Sequence, residues 1–151
     1  MKFSISTLLM ITLAISCTQA PKEKSAPLIG TWQLISATST QKDSTVSTFD
    51  PKTKMLKLFS DTHFAFFLHD LHQGKDSSNA VFSAGSGLYE LTQDSIYTEH
   101  LEYCNNRKWE TNSFHFVLNI NGDTLIQKGV EKIADLGVDH IIVEKYIRVK
   151  K

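Results

Sequence analysis

SFHFVLNINGDTLIQKG, residues 113–129, is the stretch that decides how this chain folds. Phe114, Phe116, Leu118 and Ile120 alternate with Ser113, His115, Val117 and Asn119 as far as Asn121-Gly122, after which DTLIQKG (123–129) resumes an extended composition. A period of two puts successive side chains on opposite faces of a strand. Asn-Gly supplies the positive φ angles that a two-residue hairpin turn demands. The stretch is expected to be a β-hairpin with Phe114 and Phe116 on its buried face.

The same grammar extends in both directions. TWQLISAT (31–38), MLKLFS (55–60), HFAFFLHD (63–70), VFSAGSGLYEL (81–91), SIYTEHLEYC (95–104) and VDHIIVEKYIRV (138–149) are short, rich in β-branched and aromatic residues, and separated by turn residues. No window carries a clean 3.6-residue period. EKIADLG (131–137) alone suits a helical turn, and QKDSTVSTFDPK (41–52) reads as a polar loop. About eight strands with hairpin-scale connections predict an all-β fold rather than βαβ units. Closing such a meander on itself removes its exposed edges, so an eight-stranded antiparallel up-and-down barrel is expected. A barrel of that size is either filled by side chains or holds one small ligand.

The first 27 residues belong to a different regime. MKFSISTLLMITLAISC has one cation, Lys2, before an apolar run too short to span a bilayer, the proportions of a secretory signal. Ala14-Ile15-Ser16-Cys17 resembles the bacterial lipobox, which implies cleavage before Cys17 and lipidation of its thiol and amine. Multiple acyl chains anchor far more firmly than one. Residues 1–16 are thus expected to be a lipoprotein signal peptide, 17–27 a flexible tether and 28–151 the folded domain. Thr18 is not the aspartate associated with inner-membrane retention, so the resemblance implies a lipid-anchored envelope protein of the outer membrane.

Acidic and basic residues number sixteen each, and no basic field suggests nucleic acid. Cys104 is the only cysteine besides Cys17, so once Cys17 is thioether-linked no intrachain disulfide remains. Gly30-Thr31-Trp32 matches the Gly-x-Trp that opens the first strand of lipocalins, and Arg148 occupies the last strand as their partner arginine does. KMLKLFSDTHFAFF, SAGSGLYEL, GDTLIQKG and VEKYIRV look like the small bacterial lipocalin-like lipoproteins of Bacteroides-type organisms. The resemblance to the lipocalin/calycin barrels implies a floor built from Gly30, Trp32 and Arg148, with the guanidinium on the indole face. The Thr-Asp-Tyr signature of larger lipocalins and the helical lid of fatty-acid-binding proteins are both missing.

Alternation sorts the candidate lining. Tyr97, Glu99, Leu101 and Tyr103 share the more aromatic face of their strand and are expected inside. If Arg148 faces the floor, Glu144 and Tyr146 face the interior with it. Phe64, Phe66, Phe114, Phe116 and Tyr89 complete a ligand-binding set that is apolar with a few phenols and carboxylates. A buried carboxylate needs a cation or hydrogen bonds, which Arg148 and the tyrosines could supply. Two readings of that lining stay open: it grips a polar group of a ligand, or it forms a structural ion pair in a filled barrel.

His63 and His69 share a strand face but stand about 20 Å apart, so no metal site is expected and no cofactor is implied. Cys104 reads as an inert strand-end thiol. Gly85 and Gly87 in SAGSG predict a bulge or bend rather than a phosphate cradle. Catalytic motifs are lacking. The expected function is therefore non-enzymatic: a membrane-tethered lipocalin-like protein that binds a small apolar or amphipathic molecule. The alternatives are a filled-barrel lipoprotein that contacts another envelope protein, and an isomerase or cyclase with Glu99 as its base.

Overall fold

The structure is a computed structural model that describes residues 28–75, 77–92 and 95–150. The expected signal peptide, Cys17 and the tether lie outside those residues. Strand β1 (Gly30–Gln41) is the seam of the fold. Gly30–Gln33 pair with β3 (Thr53–Phe59), Thr38–Gln41 pair with the short β2 (Ser44–Ser47), and Trp32–Thr40 pair along the other edge with β9 (Val138–Arg148). Between them run β4 (His63–Asp70), β5 (Phe82–Thr92), β6 (Ile96–Cys104), β7 (Ser113–Asn121) and β8 (Thr124–Ile133), each antiparallel to its neighbours. The β1–β9 pairing shuts the sheet into an eight-stranded antiparallel barrel, with β2 as an added flap.

Three sequence expectations need correction. The polar loop at 41–52 contains β2, because Lys42 takes a positive φ (54°) that turns the chain back on β1, and Thr40 bonds Thr45. Residues 131–133 of EKIADLG extend β8, and only Ala134–Leu136 forms a 3₁₀ turn, ended by Gly137 at φ 67°. The hairpin turn is centred one residue late: Asn121 pairs with Thr124, which leaves Gly122-Asp123 as its two central residues, with positive φ at Gly122.

A β-bulge explains a fourth. Ser86 pairs with Tyr103 but Gly87 with Leu101, so Glu102 is the extra residue of β6. A Cβ on Gly87 would lie 1.8 Å from the His100 carbonyl oxygen, and only glycine lets the strands approach there. Alternation reverses past the bulge. Tyr103, expected inside, is therefore 67% exposed on the outer wall, and Cys104 turns inward.

One end of the barrel is sealed as the lipocalin likeness implies. Trp32 is fully buried and donates through Nε1 to the Leu28 carbonyl at 2.8 Å. The Arg148 guanidinium lies 4.1 Å from the indole centroid and donates to the Ile29 carbonyl at 2.9 Å. Gly30 at φ +135° makes this possible, since a Cβ there would stand 2.9 Å from Arg148 Nη1. Above the floor Phe59, Tyr89, Tyr97 and Phe116 pack ring against ring with centroids 5.5–6.1 Å apart. The buried rings of this cluster, Phe59, Tyr97 and Phe116, each contribute roughly 2–3 kcal/mol.

Candidate functional site

Strands β3, β6, β8 and β9 carry a polar layer across the middle of this apolar barrel. Lys57 from β3 is 3% exposed, bonded to Glu99 of β6 and, at 2.9 Å, to Gln127 Oε1 of β8. The Phe59, Phe64, Tyr97 and Phe116 rings surround its ammonium at 5.5–5.9 Å. That enclosure is what lets a lysine stay buried: the charge has a carboxylate partner, a neutral acceptor and aromatic faces. Tyr146 donates to Glu144 Oε2 at 2.6 Å on β9. Nearer the open end His140 Nε2 lies 2.9 Å from Glu131 Oε2.

Three carboxylates thus share an interior with one ammonium. Burial raises Glu144 above the ordinary carboxylate range despite Lys57 and the Tyr146 hydroxyl. It raises Glu131 too, against the pull of His140. Burial and the Glu99 charge push the Tyr97 phenol well up. Its hydroxyl lies near Glu99 without meeting hydrogen-bond geometry and has no partner among the described residues.

Above the polar layer the barrel opens into a cavity of about 300 Å³. Phe66, Leu101, Phe114 and Trp109 wall it, and Glu99 and Glu131 reach it from below. Trp109 comes from the β6–β7 connection, whose 3₁₀ turn (Arg107–Trp109) folds over the mouth and sets the indole 5.8 Å from Phe114. Glu110 fixes that turn by accepting the Cys104 N–H at 2.9 Å and pairing with Arg107 at 3.0 Å. Gly85 leaves room for Phe66, whose ring would be 2.6 Å from any Cβ there.

At the end of β4 the Asp70 carboxylate accepts from the Gly74 and Val81 N–H groups. The Gly74 bond is the largest influence holding that carboxyl below its ordinary range.

The profile of a family described as a domain of unknown function, DUF4488, matches residues 27–151. The chain belongs to that family. No curated protein and no solved structure shows significant similarity to it.

Within this DUF4488 domain the residues picked from sequence fall into three groups. Phe66, Glu99 and Phe114 meet at the cavity. Phe64, Tyr89, Tyr97, Phe116 and Tyr146 pack in the core below it, and Glu144 is held there by Tyr146. Tyr103 is outside. The cation that pairs with Glu99 is Lys57, not Arg148, whose guanidinium is spent on the floor.

Lys57, Gln127, Glu131 and Trp109 escaped the sequence reading. Phe59 two residues on is a signal that Lys57 points inward; Glu131 sits in the segment expected to form a helical turn, and Trp109 lies between two strands in a stretch with no alternation. His63 and His69 face outward on β4, and no group of three His, Cys, Asp or Glu among the described residues is arranged to hold a metal ion.

Proposed function

We propose that this DUF4488 protein is a lipocalin-like, non-enzymatic binder of a small apolar or amphipathic molecule, tethered to the cell envelope through lipid on Cys17 and carried on the outer membrane. The cavity carries this reading. It is walled by aromatic and aliphatic side chains with a few convergent polar groups, above a floor that is sealed and filled. The Trp32–Arg148 floor supports the lipocalin comparison. The pairing of Glu99 with Lys57 argues against an isomerase or cyclase in which Glu99 is the base, because an ion-paired carboxylate is a poor proton acceptor.

Native mass spectrometry of the full-length, lipid-processed protein in mild detergent tests the proposal. The expected spectrum shows an acylated chain with a small molecule bound. A chain without acyl mass would remove the tether, and an empty barrel under all gentle conditions would remove the binding role.

One observation favours a second reading. Phe67 and Tyr103, 44% and 67% exposed, line a shallow groove on the outer wall, as a surface that contacts another envelope protein would. Substitution of both by serine should then abolish a cross-link to one defined partner while leaving cavity binding intact.

A further inference from the structure

We propose that the cavity selects a compact organic cation, a protonated amine carried on an aromatic or short aliphatic body. This deepens the small-molecule reading and rests on it. Charge and shape coincide at the same place. Glu99 and Glu131 both border the cavity, and no lysine or arginine is among the residues lining it.

The barrel cannot balance them from within. Lys57 is the only lysine or arginine among the buried described residues, and its ammonium is already committed to Glu99 and Gln127. Glu131 and Glu144 feel Lys57 only through space, each at the cost of its own burial. His140 beside Glu131, the Cys104 thiol and the Tyr89, Tyr97 and Tyr146 phenols are the other titratable groups of the interior. None adds a second permanent positive charge.

The walls fit the same occupant. Phe66, Phe114 and Trp109 line the cavity together with the carboxylates, and an ammonium held against their rings would gain from both a charge-assisted hydrogen bond and the ring quadrupoles. A neutral apolar guest would displace water from the Glu131 carboxylate and leave it only the His140 contact, which is costly for a buried charged group. An anionic guest would meet two carboxylates at close range. A volume of about 300 Å³ sits at the small end of ligand pockets, so the body attached to the ammonium must be compact.

Three probes of nearly equal shape separate the possibilities: phenethylammonium, 2-phenylethanol and 3-phenylpropionate. Binding to the full-length protein at pH 7 is followed by calorimetry and by tryptophan emission. Trp32 is sealed in the floor, so a change in emission reports Trp109. Phenethylammonium should bind about tenfold or more tightly than the alcohol, and the carboxylate should not bind.

Glu131→Gln should weaken the ammonium about tenfold and remove most of its advantage over the alcohol. Should that variant fold poorly, the wild type still answers, because added salt should weaken the ammonium and not the alcohol. Equal or tighter binding of the alcohol or carboxylate would overturn the cation assignment while the small-molecule reading survives. Silence from all three probes would overturn both.

Discussion

Replacing Lys57 by methionine isolates the electrostatics of the barrel interior. Methionine matches the lysine stem in length and polarizability, so packing against the four surrounding rings is largely kept. What is lost is the ammonium that holds Glu99 and Gln127. The Lys57 and Glu99 side chains are 4% and 9% exposed, so water reaches the stranded carboxylate only at its edge on the cavity. Stranding one member of a buried pair costs about 3–5 kcal/mol. A proton sets the ceiling, because neutralising a glutamate of ordinary acidity at pH 7 costs about 4 kcal/mol.

Lys57→Met should therefore destabilise the protein by about 3–4 kcal/mol at pH 7. The loss should shrink by about 1.4 kcal/mol for each unit the pH is lowered, as protonation becomes easier. Urea unfolding followed by tryptophan fluorescence at pH 5, 6 and 7 measures both quantities. Lys57→Met with Glu99→Leu should recover most of the loss, since replacing both partners leaves nothing stranded. A cost below about 1 kcal/mol at pH 7, or one indifferent to pH, would refute the picture of a dry ion pair.

Other outcomes follow from the same interior and floor. Burial raises Glu144 above its unfolded-state value of 4.5, so the stability it contributes is present below that pH and lost as pH climbs through the higher folded value. Glu144→Gln, which still accepts from Tyr146, should make the protein more stable than wild type at pH 8, with the gap closing toward pH 4.5 in urea titrations. Gly30→Ala should cost about 1–3 kcal/mol through its left-handed φ and its crowding of Arg148. Combined with Arg148→Met it should cost less than the sum in thermal melts, because both changes dislodge the same guanidinium. Gly87→Ala forces a methyl into the His100 carbonyl and should prevent the barrel from closing, whereas Gly74→Ala, with nothing within 4 Å, should cost only about 1–2 kcal/mol.

The fold was legible because its signals are local. Alternation along Phe114–Ile120 and Ile142–Arg148 places residues on faces without knowledge of their neighbours. The Gly30-Thr31-Trp32 and Arg148 residues name their own partners through size and charge. The cavity was less legible because its key terms are relations between distant strands. Lys57 sits between leucines, and nothing near it in sequence says that Glu99 lies across the barrel. The extra residue at Glu102 is invisible in β6 itself; the glycine that demands it is Gly87 on the adjacent strand. Trp109 enters the site only because an otherwise polar connection folds inward.

The adjacency of β1 and β9 gives the barrel two poles with separate duties. Backbone arrives at Leu28 and leaves past Arg148 through the same sealed end, while the cavity opens at the other. The described chain thus enters and leaves at the south, and on the proposed binding role a guest would enter at the north. On the proposed lipid anchor, the doorway would look away from the bilayer, toward whatever solution the protein samples.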